Sequence, residues 1–379
     1  MDLLEYNKSP SLKCLIIISS AIVLVILFAG LNPRDFHFSN SVKWLKDKPG
    51  IAIDKYGILY TSPFVARGDV FKSDDFSIEM ALRPAKNNEK DFGFIVVIEN
   101  RKDGDQLLVA QWLSQIVVMN GGDYDYRRRT KRISVKIGPP SHQARLLTIT
   151  TGKEGTKVYI DGELAGAEKD LILRIPEGQD RILLSNSTYG RQSWRGDIYG
   201  LALYGSALSG KKILSHFVQW SNTKDFSFIA QEKPAVLYLF DEGGGSKVLD
   251  HSGGKHDLEI PPRMKILKKK ILPLGWDEWK FNRSVLQDVV INLMGFIPLG
   301  FFFAATLLKL GGIYRRHYRL IAICLGFMIS LFIEILQMWI PSRSSEMRDL
   351  LMNTLGAFLG TMICRFAAQY YLRLSRRQL

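Results

Sequence analysis

Apolar residues are distributed unevenly along this chain, in four long runs near its ends and in short alternating stretches between them. The long runs occupy 14–31, 289–308, 320–340 and 350–372. Each is close to the roughly 20 apolar residues that an α-helix needs to cross about 30 Å of hydrocarbon. We therefore predict four transmembrane helices. Arg365 interrupts the last run, at a position from which a long side chain can reach the headgroups.

The first run also has features of a signal peptide, with Lys8 and Lys13 before it and small residues near its end. Its length and the lack of an A-x-A site favour a retained helix. Segments 309–319 and 373–379 are basic, so the positive-inside rule predicts that both termini are cytoplasmic and the middle region is external. The lysines at 265 and 268–270 oppose this orientation, although long translocated domains largely escape the rule.

The middle region, from about 44 to 260, changes to short strands with a period of two. Strands are predicted at 76–83, 92–99, 115–119, 144–150, 156–161, 181–185, 198–204 and 236–240. Asp161-Gly162 predicts a type I′ hairpin turn, which needs positive φ, and 209–219 has the spacing of a short helix. This pattern is typical of an antiparallel sandwich or jelly roll.

Three segments of this region resemble the LamG-like, concanavalin A-like jelly-roll family. They read DDFSIEMALRP, TKVYIDGELAG and RGDIYGLALYGSALSGKKILSHF, and the resemblance covers about 45–220. Segment 237–260 is similar to the opening strand of such a module although it comes last, so it is either a permuted strand or a closing one. The predicted domains are a leader and first helix at 1–34, the jelly roll at 45–260, a basic and aromatic linker at 261–284 and a helical bundle at 285–379.

Charge and cysteine content narrow the classes of partner. The net charge of +14 is dispersed and partly explained by residues flanking the helices, so no nucleic-acid partner is predicted. Cys14, Cys324 and Cys364 all lie in predicted helices, which argues against a disulfide framework or a cysteine-type zinc site in the middle region.

Polar residues inside the last three apolar runs are the strongest functional signal, since such residues are costly in a bilayer. They are Asp288, Asn292, Glu334, Gln337, Asp349 and Asn353. With the predicted orientation and a rise of 1.5 Å per residue, Asn292 and Asn353 lie about 5 Å below the outer boundary and Glu334 about 9 Å below it. Arg343 lies in the loop above them.

Two interpretations of these polar residues stay open. In the first, these side chains hold the helices together by hydrogen bonds, and Gly356 and Gly360 allow the helices to pack closely. Alternatively they form a pocket for a polar headgroup, in which Arg343 forks to a phosphate or carboxylate and Glu334 or Asp349 transfers protons. The sequence shows no nucleophile–base pair or metal-ligand trio beside them, which favours binding over catalysis.

The same residues resemble the VanZ-like membrane family over about 284–365, in DVVINLMGFIPLG, EILQ and PSRSSEMRDLLMNTLGAFLG. Glu346 stands where the family often has aspartate. The resemblance implies a multi-pass protein of the bacterial cytoplasmic membrane, sometimes linked to tolerance of glycopeptide antibiotics. The candidate headgroup pocket, drawn from the polar residues themselves, is Asp288, Asn292, Glu334, Gln337, Arg343, Glu346, Asp349 and Asn353. The implied packing residues are Gly295, Pro298, Gly300, Gly356 and Gly360.

The jelly roll lacks the paired carboxylates of related glucanases, in E-x-D-x-x-E or E-x-D-x-E spacing, so we expect it to bind a surface glycan or an envelope protein. The candidates for sugar contact are Trp112, Tyr124, Tyr126 and Trp194. Calcium is the one cofactor considered, with candidate ligands Asp103, Asp105, Asp123 and Asp125. The predicted partner of the bundle is a membrane lipid or a lipid-linked cell-wall precursor.

Overall fold

The computed structural model describes residues 10–32, 38–71, 73–85, 92–100, 106–121, 131–138, 143–269, 271–272, 283–340, 343 and 345–377. The chain divides into two compact units. One comprises Met1–Asp35 and Lys269–Leu379 and is helical; the other, Phe36–Lys268, is a β-sandwich. The predicted fold class, an apolar helical bundle with a β-sandwich, is confirmed.

The sandwich consists of two antiparallel sheets. The first has the order β1-β2-β13-β4-β9-β10-β11, with β14 also paired to β13. Its strands are β1 Lys43–Trp44, β2 Ile51–Ile53, β4 Phe76–Pro84, β9 Arg145–Gly152, β10 Gly155–Ile160, β11 Glu163–Glu168, β13 Gly196–Tyr204 and β14 Val236–Tyr238. The second has the order β15-β16-β3-β12-β5-β6-β7-β8. Its strands are β3 Leu59–Thr61, β5 Phe92–Asn100, β6 Gln106–Trp112, β7 Gln115–Gly121, β8 Arg132–Lys136, β12 Asp180–Leu184, β15 Lys247–Val248 and β16 Leu258–Glu259.

The core lies between the two sheets and follows from the period of two. Val96 and Ile98 of β5 point into it, whereas Val97 between them packs on the opposite face. The outer face of the first sheet is covered by helix α2, Gly210–Thr223, and by the 3-10 helix Ser227–Glu232. Ser209 caps α2 by accepting from the N–H of Lys212.

Two local predictions have definite outcomes. Asp161 and Gly162 join β10 to β11 with φ values of 53° and 81°, as a type I′ turn requires, so the hairpin is confirmed. The segment after 236 contributes strands to both sheets, with β14 beside β13 and β16 beside β3. This segment therefore closes the sandwich.

Within its described residues, the helical unit contains four helices long and apolar enough to cross a membrane. They lie in α1 Leu12–Leu31, α3 Arg283–Leu310, α5 Tyr318–Gln337 and α6 Met347–Arg377, and the short α4 Gly312–Arg316 connects α3 to α5. The apolar side of α1 packs against Phe296 and Leu299 of α3 and Ile333 of α5. The first predicted helix is thus part of the bundle.

Candidate functional site

The polar residues of the apolar helices meet at one end of the bundle, where α1 and α5 end and α3 and α6 begin. We call this group the polar cluster: Asp288, Asn292, Ser330, Glu334, Gln337, Arg343, Ser345, Glu346, Arg348, Asp349 and Asn353. Glu334, Gln337 and Asn353 are buried, with 1%, 8% and 5% of their surface exposed. Asp288 and Asn292 of α3 lie beside Asp349 of α6. The helical spacing of the sequence thus brings three helices to one polar site.

Within the cluster, the Glu334 carboxylate binds the start of α6. Its Oε2 accepts a hydrogen bond of 2.7 Å from the backbone N–H of Glu346, and the side chain of Ser345 also bonds to it. The first N–H groups of a helix lack partners within the helix and carry partial positive charge, so a carboxylate is stabilising there. Glu334 therefore joins the end of α5 to the start of α6.

Arg343 and Gln337 bind the opposite kind of helix end, the last carbonyls of α1. Arg343 Nη2 donates to the oxygens of Ala29 and Asn32 at 2.9 and 3.1 Å, and its Nε reaches the Asn32 oxygen at 3.2 Å. Gln337 Nε2 donates to the Gly30 oxygen at 2.9 Å. That Arg343 forks to a ligand stays a prediction; in the structure its guanidinium satisfies carbonyls at the negative end of a helix.

Several polar atoms of the cluster keep unused hydrogen-bonding capacity. Asn353 Nδ2 donates to Ser330 Oγ at 2.9 Å, which leaves its Oδ1 without a partner among the described residues. Arg348 Nη2 donates to Glu346 at 2.7 Å. Its Nε lies 3.8 Å from Asp349 Oδ1, too far for a hydrogen bond, and neither atom has another partner in the described part of the chain.

The cluster is acidic on balance. Its carboxylates are Asp288, Glu334, Glu346 and Asp349, and its cations are Arg343 and Arg348. Arg348 is a member of the cluster that the sequence analysis did not single out. In the sequence, Arg348 stands next to Asp349, which precedes Asn353 by four residues, and this spacing was the signal for Arg348.

Glycines bring α3 and α6 into backbone contact beside the cluster. A Cβ on Gly300 would lie 2.0 Å from the Ala357 oxygen, and one on Gly356 or Gly360 would lie 2.3 or 2.1 Å from α3 carbonyl oxygens. These distances allow only glycine. Gly295 is corrected as a packing residue, since a Cβ there would meet no atom of the described residues within 4 Å. Pro298 lies within α3 and is exposed.

The candidates for sugar contact in the sandwich separate into three groups. Trp112 is 46% exposed at the end of β6 and presents a ring to solvent. Trp194 is corrected, because it is fully buried and its indole N–H donates to Gln111 at 2.7 Å. Tyr124 and Tyr126 lie outside the described residues, as do the calcium candidates Asp103, Asp105, Asp123 and Asp125.

Two family models match this chain, and each covers less than half of it. Residues 236–368 match VanZ/LLP1. Residues 61–214 match the concanavalin A-like lectin/glucanases superfamily. Both predicted resemblances are confirmed, and the VanZ/LLP1 match begins earlier than the quoted motifs, at β14 of the sandwich. No curated protein matches the chain.

The similar solved structures are distant. The botulinum neurotoxin type G receptor binding domain is 22% identical over 41% of this chain and 40% of its own, with a TM-score of 0.31. Domain 4 of the GH43 extracellular arabinanase from Geobacillus stearothermophilus is 12% identical over 46% and 81%, with a TM-score of 0.36. This chain spans about 40% of the first two solved structures it matches. TM-scores this low carry no inference about a ligand.

A group of metal-ligand type occurs in the β-sandwich, where the sequence did not predict one. Asp241, Glu242 and His251 each offer one ligand atom, and these three atoms lie within 4.8 Å of one another. His251 Nε2 is 3.2 Å from Asp241 Oδ1, an ion pair that needs no metal when the imidazole is protonated. In the sequence, Asp241 and Glu242 precede His251 by ten and nine residues, and this spacing was the signal for the group.

A buried polar network fixes α2 to the first sheet of the same domain. Glu79 of β4 is fully buried and accepts from Thr148 at 2.9 Å and Tyr204 at 3.2 Å. His216 Nδ1 of α2 lies 2.8 Å from the same carboxylate. Burial, and then the Glu79 charge, raises the pKa of the Tyr204 hydroxyl. His216 Nε2 has no hydrogen-bond partner among the described residues and lies 3.9 Å from Glu232 Oε1, so one atom of the network stays unsatisfied.

Proposed function

We propose that this protein is a multi-pass membrane protein that binds the polar headgroup of a lipid or lipid-linked cell-wall precursor at the polar cluster, and a surface glycan through its concanavalin A-like domain. The observation that carries the first part is a set of buried atoms that have no hydrogen-bond partner among the described residues: Gln337 Oε1, Arg348 Nε, Asp349 Oδ1 and Asn353 Oδ1. Each such atom costs about 1–3 kcal/mol when nothing bonds to it. A ligand that bonds to them recovers that free energy.

The charge balance of the cluster selects the kind of headgroup. Four carboxylates face two guanidinium groups, and Arg343 is already engaged with the end of α1. Three of the four unused atoms are acceptors. A headgroup with hydroxyl, amide or ammonium donors therefore complements this site better than a bare phosphate does.

The orientation follows from chain order together with the charge rule. The concanavalin A-like domain is inserted in the chain between α1 and α3, and the polar cluster lies where α1 ends and α3 begins. Basic segments at 309–319 and 373–379 favour the cytoplasmic side for the opposite end of the bundle. We place the cluster at the outer leaflet of the bacterial cytoplasmic membrane, where an effect on glycopeptide tolerance would arise.

A second candidate function is that of a scaffold, and the interhelical hydrogen bonds favour it. Asn353 to Ser330, Gln337 to Gly30 and Glu346 to Glu334 each join two different helices or a helix to a loop. In this interpretation the cluster only holds the bundle together. That the protein is an enzyme acting on a lipid headgroup, with Glu334 or Asp349 as acid or base, stays a prediction. Its test is whether Glu334→Gln loses turnover of a lipid that the wild-type protein converts.

Two variants separate headgroup binding from scaffolding. Asn353→Leu and Ser330→Ala both remove the hydrogen bond between α5 and α6. Only Asn353→Leu also removes the unused acceptor Oδ1. The full chain, purified in detergent, is analysed by mass spectrometry for the lipids that it retains, and its melting temperature is measured in the same preparation.

Headgroup binding predicts at least a fivefold loss of retained lipid in Asn353→Leu and little loss in Ser330→Ala. If both variants lose lipid in proportion to their loss of melting temperature, the cluster is a scaffold. If neither variant changes the retained lipid, the headgroup proposal is wrong.

A further inference from the structure

A cleft of about 790 Å³ opens beside the ends of several strands of the β-sandwich. Its lining includes the ends of β5 and β7, the start of β6 and the segment 170–177 between β11 and β12. This volume lies within the range of small-molecule sites. The polar and apolar groups in the cleft define what it can hold.

The wall formed by segment 170–177 has no regular strand, yet its backbone is held in place by side chains. Asn120 of β7 uses both ends of its amide: Nδ2 donates to the Ile172 oxygen at 2.7 Å, and Oδ1 accepts from the Arg174 N–H at 2.9 Å. Asn100 of β5 donates to the Glu177 oxygen. The Cα positions of Ile172 and Arg174 at the cleft are therefore fixed before any ligand arrives.

The floor of the cleft contains a buried polar group without a partner. Gln106 begins β6 and is only 4% exposed, and its Nε2 has no hydrogen-bond partner within the described ranges. A primary amide offers two N–H donors. A buried donor left unbonded destabilises the folded state, so a ligand acceptor at this position is favoured.

The cationic side chains of the cleft differ in whether they form ion pairs with carboxylates. Arg67 pairs with Glu177 and, at 3.1 Å, with Asp74. Lys131 lies 3.7 Å from Asp170. The exposed guanidinium of Arg174 enters no ion pair in the part of the chain that the structure describes. One positive charge at the cleft is therefore available to an anionic group.

We infer that this cleft binds an anionic saccharide, with its acidic group on Arg174 and a hydroxyl or ring oxygen on Gln106. Ile172, 38% exposed on the same wall, offers an apolar surface for the C–H face of a sugar ring. A hydroxyl-rich, acidic ligand can accept a hydrogen bond from Gln106, pair with Arg174 and pack on the apolar surface of Ile172. A neutral sugar lacks the charge for Arg174, and a simple anion lacks the apolar face for Ile172. The inference rests on the proposed glycan binding and assigns its site and ligand class.

The test uses the full chain in detergent and two trisaccharides as probes, the acidic trigalacturonate and the neutral maltotriose. Binding is measured by isothermal titration calorimetry for wild type, Arg174→Ala and Gln106→Leu. Arg263→Ala is the matched control, because Arg263 is an exposed arginine outside the cleft lining and its loss changes the net charge equally. Circular dichroism reports whether each variant keeps its strands.

The expected result is binding of trigalacturonate but not maltotriose, weakened at least tenfold by Arg174→Ala and unchanged in Arg263→Ala. Gln106→Leu is expected to weaken trigalacturonate binding as well. If Gln106→Leu fails to fold, Arg174→Ala decides alone, because the Arg174 side chain is exposed and its removal leaves the fold intact. Equal effects of Arg174→Ala and Arg263→Ala overturn the cleft assignment but leave glycan binding intact. Binding of maltotriose alone overturns the acidic class. Binding of neither trisaccharide overturns this inference, whereas the headgroup proposal is judged separately by lipid retention.

Discussion

Gly300→Ala is the sharpest test of the way α3 and α6 pack. A Cβ at residue 300 would lie 2.0 Å from the backbone oxygen of Ala357, whereas ordinary contact begins at 3.4 Å. The obstacle is backbone, so no side chain can rotate away. The two helices would have to separate locally by the difference between these distances. Gly295→Ala is the matched control on the same helix, because a Cβ there meets no atom within 4 Å.

The magnitude follows from the packing. Overfilling a close-packed interface typically costs about 1–3 kcal/mol, and a backbone obstacle places Gly300→Ala near the upper end, at about 3 kcal/mol. Helix association in a bilayer depends on such close packing, because the apolar driving force is absent there. Gly295→Ala gains up to about 1 kcal/mol of helix propensity and loses no contact.

The assay is reversible unfolding of the full chain by increasing SDS in mixed micelles, followed by far-ultraviolet circular dichroism at a helix wavelength. We expect Gly300→Ala to unfold at lower SDS than wild type and Gly295→Ala to unfold at the same or higher SDS. Equal midpoints for the two variants would refute the backbone contact between α3 and α6.

Three further predictions concern charged groups. Burial raises the pKa of the Asp180 carboxyl to about 6, so the folded state holds its proton more tightly than the unfolded state and wild type loses stability as pH rises from 4 through 6. Asp180→Asn should therefore be about 2 kcal/mol more stable, relative to wild type, at pH 8 than at pH 4 in urea unfolding; a pH-independent difference would contradict this. Glu79→Gln leaves the buried His216 without its carboxylate and should cost about 2–3 kcal/mol in urea unfolding at pH 6, so an unchanged midpoint would rule out the network. Arg343→Ala should lower the melting temperature of the bundle, and Arg343→Lys should recover only part of it, because one ammonium cannot reproduce the planar fork to two carbonyls; full recovery would show that only the charge matters.

Much of the architecture follows from the sequence, because local patterns encode it. Four apolar runs of membrane length predict the four long helices, and a period of two predicts most of the longer strands. Asp161-Gly162 predicts its own turn through its tolerance of positive φ. The longer strands β6 and β8 were missed. The short strands β1, β2, β3, β15 and β16 were missed as well, since two or three residues show no period and depend on their neighbours for pairing.

The polar cluster could also be predicted in outline. Helical spacing puts Asp349 and Asn353 on one face of α6, and alternating helix directions bring that face to the same depth as Glu334. Which atom bonds to which is a different matter. Arg343 reaches the Ala29 carbonyl across 314 positions of sequence, and no local pattern records that contact.

The tertiary structure alone decided which side chains have unused capacity. Trp112 and Trp194 look alike in the sequence, yet one is exposed and the other is sealed in the core. Gly295 and Gly300 are five residues apart on one helix, and only the second meets another backbone. The sequence by itself determined the elements and their polar faces, because periodicity is a property of neighbouring residues. Burial and hydrogen-bond satisfaction depend on which distant surface packs against each face, and they exist only once the chain has folded.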